Sequence, residues 1–124
     1  MLHLTITRGE IKRNSSIEEL NNALQEVINY NPRLSFDIYD NLKGLISVGS
    51  KDNFTEYDVL KVLTKHCSYF RVVIDDDDYY ETKYSSVYLI TTTIYEWNGK
   101  DLYKQSIDYY GTAWGKEKFN WILK

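Results

Sequence analysis

The sequence YSSVYLITTTIYEWNGKDLYKQSIDYY, residues 84–110, decides the fold class of this chain. Its first half, residues 84–97, is rich in Tyr, Thr, Val and Ile, which are residue types that strands favour. Asn98-Gly99 follows and predicts a hairpin, because a two-residue type I′ turn needs a positive φ at both central positions. Residues 102–110 then return antiparallel, so the stretch predicts a long β-hairpin.

The turn also predicts which residues face each other across this hairpin. With Trp97 opposite Lys100, one face of the ribbon carries the pairs Ile94–Tyr103, Ile90–Ile107 and Tyr88–Tyr109. The other face carries the pairs Tyr95–Leu102, Thr93–Lys104, Thr91–Ser106 and Leu89–Asp108. We expect the first face to be the core face and the second to be more polar, since an antiparallel sheet can leave one face to solvent.

A strand and a helix precede this region at the N-terminus. Residues 2–7 alternate apolar and polar side chains, which is typical of a half-buried strand. Ser16 with Glu19 three residues later forms a capping box, and apolar residues follow it at helical spacing. Asn31-Pro32 ends the predicted helix, because a residue before proline is pushed out of the α region.

A second hairpin, a second helix and a short strand come next. Residues 34–39 and 46–48 predict two strands around a turn at Asp40-Asn41. Thr55 is the predicted cap of the second helix. The buried face of that helix is expected to carry Val59, Leu60, Leu63, Cys67 and Phe70. Residues 71–74 then form a short apolar strand.

These elements run in the order β-α-β-β-α-β-β-β. The order predicts an α+β fold with a mixed, mainly antiparallel sheet and two helices packed on one of its faces. Its first part resembles the split β-α-β arrangement in connectivity. The C-terminal residues 114–123 fit either a strand or a short helix, and the glycines at 111 and 115 favour the strand. With 124 residues, we expect a single domain over residues 1–124.

Composition limits the compartment and the partners. The one cysteine, Cys67, cannot form an internal disulfide, and neither a secretory signal nor an apolar run of about 20 residues is visible, so we expect a cytoplasmic protein with no membrane contact. A net charge of −3 without a basic stripe disfavours direct nucleic-acid binding. Lysine outnumbers arginine 11 to 4 and there are nine asparagines, a mixture that AT-rich coding sequences tend to give.

The sequence shows no motif for catalysis, nucleotide binding or metal binding. It holds no G-x-x-x-x-G-K-S/T, no G-x-G-x-x-G, no C-x-x-C and no nucleophile elbow. His66-Cys67 brings a histidine beside the cysteine, but neighbours on a helix point about 100° apart and cannot act on each other. We interpret them as a helix-end histidine and a core cysteine. We expect no cofactor and no metal, and we favour a binding protein over an enzyme.

The candidate binding residues lie in the last third of the chain. Residues 71–101 hold seven acidic and three basic side chains, whereas residues 102–124 hold two acidic and four basic side chains. We interpret the acidic run as a solvated loop between two strands or as a surface that contacts a basic partner. Tyr and Trp crowd the same region, and both are enriched at recognition surfaces. The predicted partner-binding residues are Asp75, Asp76, Asp77, Asp78, Tyr79, Tyr80, Glu81, Tyr95 and Trp97.

These features predict a small protein-binding module that acts by occluding a partner with a basic surface. An inhibitor carried by a phage or mobile element and directed against a bacterial enzyme or defence system fits them, in the manner of an anti-CRISPR or an immunity protein. A small-molecule-binding or enzymatic domain, with a pocket between helices and sheet, stays open as the alternative. A homodimer in which the aromatic sheet pairs with itself also stays open.

Overall fold

The computed structural model describes residues 2–48, 53–81, 83–108 and 110–123, with side chains at all of these positions except 2, 53–55, 77–80 and 87–89. These residues form seven strands, two α-helices and a 3₁₀ helix. In chain order the elements are β1 (Leu2–Ile11), α1 (Ile17–Gln25), β2 (Arg33–Phe36), β3 (Leu42–Val48), α2 (Asn53–His66), β4 (Cys67–Glu81), β5 (Ser86–Trp97), β6 (Leu102–Ile107), β7 (Glu117–Lys118) and the 3₁₀ helix (Asn120–Leu123).

The strands form one antiparallel sheet in the order β2-β3-β1-β4-β5-β6-β7. Within it, β1 to β4 and the two helices have the connectivity of the split β-α-β, or ferredoxin-like, motif. From β4 onward, β5, β6 and β7 are added as consecutive antiparallel neighbours. The predicted α+β class and the order of its elements are confirmed, and each described pair of strands is antiparallel rather than mixed.

The hydrophobic core lies between one face of this sheet and the two helices. Its side chains are fully buried or nearly so and include Leu4, Ile6, Leu20, Leu24, Leu42, Ile46, Val59, Leu60, Leu63, Phe70, Val72 and Leu102. Burial of each such leucine contributes roughly 1.5–3 kcal/mol. The opposite face, called the open face below, carries the cross-strand row Leu45, Thr5, Val73 and Ile94.

One of the two helices begins at its predicted cap and the other does not. The Ser16 cap is confirmed, because its Oγ accepts a hydrogen bond of 3.1 Å from the Glu19 backbone N–H. The predicted Thr55 cap is wrong, because α2 already begins at Asn53 and Thr55 lies inside it. Threonine is a cap-forming residue type, so residue type alone favoured Thr55 as the start of the helix.

The acidic run lies on a strand, so its interpretation as a loop is wrong. After α2 ends at His66, β4 runs for 15 residues and includes Asp75–Asp78. Cys67 and Phe70, expected on the buried face of α2, are therefore core residues of β4 instead. Pairing with β5 continues from Phe70 opposite Trp97 to Glu81 opposite Ser86. The ladder satisfies backbone polar groups that a loop leaves to solvent, and this outweighs the poor strand propensity of aspartate.

The β5–β6 register and its core face also differ from the prediction. Trp97 pairs with Leu102 rather than Lys100, which leaves a four-residue turn over residues 98–101. The Asn98 Oδ1 atom accepts hydrogen bonds from the backbone N–H groups of Lys100 and Asp101, at 2.9 and 2.8 Å. Only Gly99 in this turn has a positive φ, of 91°, whereas a type I′ turn needs two.

The predicted core face of this hairpin is also wrong, although a register shift of two residues leaves the same side chains together on each face. Tyr95 and Trp97 point into the core, at 1% and 8% exposure, while Ile94 and Tyr103 are half-buried on the open face. Burial of Tyr95 is compatible with its polar hydroxyl because that hydroxyl has a partner in α2, described below. Tyr88, predicted to face the core, has no described side chain, and Tyr109 lies outside the described residues.

The C-terminal segment combines both predicted states. Only Glu117 and Lys118 form a strand, β7, and residues 120–123 then turn into a 3₁₀ helix. The Phe119 backbone N–H donates to the Leu102 carbonyl oxygen at 2.7 Å, and Phe119 and Ile122 are buried. The strand favoured over residues 114–123 is thus wrong except at Glu117 and Lys118, and packing of Ile122 against the core places residues 120–123 in the 3₁₀ helix.

Replacement of Gly44 by alanine tests the packing at the β2–β3 pair. Gly44 lies opposite Leu34, and a Cβ atom there would collide with the Arg33 carbonyl oxygen and the Leu34 side chain. We expect Gly44→Ala to lower the free energy of unfolding by about 1–3 kcal/mol in urea denaturation. Gly115→Ala is the matched control, because a Cβ there meets nothing within 4 Å, and its change should stay within about 0.5 kcal/mol. Equal losses in both variants would contradict this account.

Candidate functional site

The strands β4 and β5 extend beyond their neighbours and form a two-stranded arm. β1 pairs with β4 as far as His3 opposite Asp75, and β6 pairs with β5 as far as Ile107 opposite Thr92. Beyond these positions, residues 76–81 pair only with residues 86–91 among the described strands. The arm, defined here as residues 76–81 paired with residues 86–91, extends for about 20 Å at roughly 3.4 Å per residue.

The acidic run forms the outgoing strand of this arm. Residues 75–81 hold five carboxylates and no basic side chain. Asp75 is at the base, where its Oδ1 atom accepts a hydrogen bond of 3.0 Å from the Thr92 hydroxyl. Asp75, Asp76 and Glu81 are exposed, and strand alternation directs successive residues to opposite faces. The backbone of residues 77–80 continues the run, so the structure brings seven of the nine predicted residues together on one strand.

The other two predicted residues lie elsewhere. The Trp97 Nε1–H donates to the Cys67 carbonyl oxygen at 3.1 Å, and the Tyr95 hydroxyl donates to Glu56 Oε1 at 3.0 Å. Both rings are core residues. Their burial leaves little ring surface for a partner, so the site proposed below does not include Tyr95 and Trp97. A buried Tyr or Trp needs a hydrogen-bond partner, and these two contacts supply it.

A polar cluster near the base of the arm was missed by sequence reasoning. The Glu56 carboxylate of α2 accepts a hydrogen bond from the Tyr95 hydroxyl. The charges of Lys104 and Asp76 also influence the pKa of Glu56. Burial raises the pKa of Glu56 above its ordinary range, and Asp76 adds to the rise while Tyr95 and Lys104 oppose it. The Lys104 Nζ also lies 4.8 Å from the centroid of the Phe119 ring. No spacing rule connects these residues, because the contacts join α2, β5, β6 and the C-terminal segment.

His66 and Cys67 take the structural roles expected of them. His66 is the last residue of α2, and its Nδ1 lies 3.0 Å from the Ser15 hydroxyl. Cys67 is fully buried, and burial raises the pKa of its thiol to about 12. A thiol that stays protonated at neutral pH is a poor nucleophile, so the interpretation as a helix-end histidine and a core cysteine is confirmed.

The described grooves lie on the open face rather than between helices and sheet. One, of about 600 Å³, is lined by His3, Arg33, Leu45, Ser47 and the segment 30–32. Another, of about 250 Å³, lies beside Glu96, whose carboxylate is paired with Arg71 at 3.7 Å and Lys116 at 3.4 Å. Both are open to solvent, and the Glu96 carboxylate already has two cations beside it. They lack the buried, unpaired polar groups that mark a catalytic pocket.

Comparison with known proteins adds no assignment to this geometry. No family model, no curated protein and no solved structure matches the chain. Within the described ranges, no three His, Cys, Asp or Glu side chains group as a metal ion would require. Neither described α-helix is long and apolar enough to span a bilayer.

The burial of Cys67 predicts slow reaction with thiol reagents. With a pKa of about 12, the thiolate fraction at pH 8 is on the order of 1,000-fold lower than that of an ordinary cysteine. We expect iodoacetamide to alkylate the native protein at least about 100-fold more slowly than the protein in urea. Mass spectrometry of timed samples measures both rates, and comparable rates would show that Cys67 is accessible.

The position of Glu56 predicts a pH dependence of stability. Because burial raises the pKa of Glu56, the folded chain holds this proton more tightly than the unfolded chain. Its contribution to the free energy of unfolding is therefore present below the unfolded pKa of about 4.5 and is lost as pH rises through the raised folded value. Glu56→Gln keeps an acceptor for the Tyr95 hydroxyl and does not ionise.

We expect Glu56→Gln to match the wild type near pH 4 and to exceed its stability at pH 7, in urea titrations at each pH. A difference that stays constant over this range would show that the Glu56 proton does not affect folding.

Proposed function

We propose that the protein binds a protein partner with a basic surface through its acidic β4–β5 arm and acts by occluding that surface. The observation that carries the proposal is the run of five carboxylates, residues 75–81, on a ribbon that extends beyond the rest of the sheet. A concentrated charge at one end of a small domain steers an oppositely charged partner and speeds encounter.

The charge spacing on the arm supports a basic groove as the target. Five carboxylates over seven residues give about one charge per 5 Å at a strand rise of roughly 3.4 Å. One strand of duplex DNA carries a phosphate about every 3.4 Å. Over a short length the acidic strand therefore carries a lower charge density than a nucleic-acid strand, divided between its two faces, and a groove that binds such a strand is the surface that we propose it blocks.

The attachment of the arm supports binding without a large ordering cost. Its strands are continuous with core strands, and Val72 and Ile74 just before the arm are buried. At the base of the arm, the Thr92 hydroxyl donates a hydrogen bond to the Asp75 carboxylate on the neighbouring strand. A binding element that is already extended before contact loses less conformational entropy on association than a free loop.

The proposed setting is the bacterial cytosol, where a phage or mobile element would use such a protein against an enzyme or defence complex. Small size, an acidic binding element and the lysine-, asparagine- and tyrosine-rich composition support this setting. The alternative, an enzymatic domain with a pocket between helices and sheet, receives less support. The described side chains in that layer, such as Leu20, Leu60 and Ile46, are fully buried against one another.

Charge reversal on the arm tests the proposal. We expect the double variant Asp76→Lys/Asp77→Lys to lose a partner that wild-type protein captures from bacterial lysate, and we expect salt at about 0.5 M to release that partner from the wild type. Quantitative mass spectrometry of both captures, with purified partner binding measured afterwards by calorimetry, gives the comparison. Thermal unfolding of the variant verifies that it is folded.

The matched control is Glu26→Lys/Asp58→Lys, which changes the net charge equally at two exposed positions on the helical side. This control should retain the partner. If the arm variant and the control capture the same proteins as the wild type, the arm is not the binding element and the proposal fails.

A further inference from the structure

The strand edges of this fold are protected unequally. The sheet ends in β2, which has four residues and follows Pro32, and in β7, which has two residues. Short edge strands offer little backbone to an incoming strand. The arm adds two further edges among the described residues, one along β4 and one along β5. The β4 edge carries acidic residues, which also oppose strand addition.

The β5 edge of the arm has none of these protections. Residues 87–91 read VYLIT, an uncharged run of β-branched, aromatic and aliphatic residue types without proline. No described strand lies beside them on the side away from β4, because β6 ends opposite Thr92. Ile90 is 51% exposed. A neutral edge of this length is a template for another strand.

We infer that this edge pairs antiparallel with the same edge of a second copy, so that the two arms form a four-stranded sheet in a twofold-symmetric dimer. A two-stranded ribbon gains stability when further strands join it. A contact with twofold symmetry uses the same edge on both copies, so it produces a dimer and leaves no free edge for a third copy. An uncharged strand carries no like charges to repel its own copy. The edge is short, so we expect a weak dimer that depends on protein concentration.

The placement of the carboxylates decides how the dimer responds to salt. In the four-stranded arm, the two β4 strands are separated by three strand spacings, about 14 Å. That distance exceeds the screening length of about 8 Å at physiological ionic strength but not the 30 Å at about 0.01 M. Repulsion between the two acidic strands should therefore oppose the dimer at low salt and fade at physiological salt.

This salt response separates the dimer from the proposed partner. Binding of a basic protein weakens as salt increases, whereas the dimer strengthens. The inference does not depend on the proposed function, because the dimer uses the β5 edge while the acidic strands stay on the outside of the four-stranded arm. Failure of either experiment therefore leaves the other intact.

Analytical ultracentrifugation of the full chain tests the dimer. We expect the weight-average mass to rise from the 14.7 kDa of one chain toward twice that value as protein concentration increases, and to rise further between about 0.01 and 0.15 M salt. Amide hydrogen exchange should slow at residues 87–91 at high protein concentration, with residues 76–81 changed less. A mass that stays at one chain under all conditions would overturn the inference.

Charged variants at Ile90 locate the contact. Ile90→Glu adds a like charge to each copy at the shared edge, on a position directly opposite Asp77 of the same arm, and should weaken the dimer about tenfold or more. Ile38→Glu, at a position 89% exposed in the β2–β3 turn, should not. Mixing Ile90→Glu with Ile90→Lys should restore association, because opposite charges then meet. A dimer that persists unchanged in Ile90→Glu, or no recovery on mixing, would place the contact elsewhere and refute the β5 edge.

Discussion

The pairing of β4 with its two neighbours is the interaction on which the rest of the structure depends. Over residues 70–75 this strand lies between β1 and β5, and it contributes Phe70, Val72 and Ile74 to the core. Beyond Asp75 it continues with β5 alone. One ladder therefore anchors the hydrophobic layer and also holds the acidic run extended, because its hydrogen bonds satisfy backbone groups along both parts. Core and candidate site are two lengths of the same strand.

The junction between these two lengths combines apolar and charged contacts. Tyr95 is fully buried beside Phe119, with ring centroids 5.7 Å apart, yet its hydroxyl reaches Glu56. Tyr57 and Trp121 extend this aromatic cluster, at 5.4 Å between ring centroids. The C-terminal segment is thereby packed against α2 near the base of the arm. Burying a carboxylate here costs desolvation energy, which the Tyr95 hydrogen bond and the Lys104 charge partly offset.

The two edges of the arm give one small element two different surfaces. Its β4 side presents carboxylates, which attract basic groups and resist strand addition, whereas its β5 side presents a neutral backbone edge. Salt affects these surfaces in opposite directions. In a fold whose sheet otherwise ends in strands of four and two residues, the arm carries strand edges of six residues each.

The sequence by itself determined the α+β class, the order of elements, the Ser16 cap and the inert character of Cys67, because these follow from local periodicity, capping chemistry and residue type. It also located the acidic run, but the length of β4 and the arm were decided only by tertiary structure. The reason is that a strand needs a partner, and the ladder with β5 carries β4 through residues whose own propensity predicts a loop. The same holds for Tyr95 and Trp97. Their face of the sheet is set by helices that are distant in sequence, so residues that look like a recognition surface are part of the core.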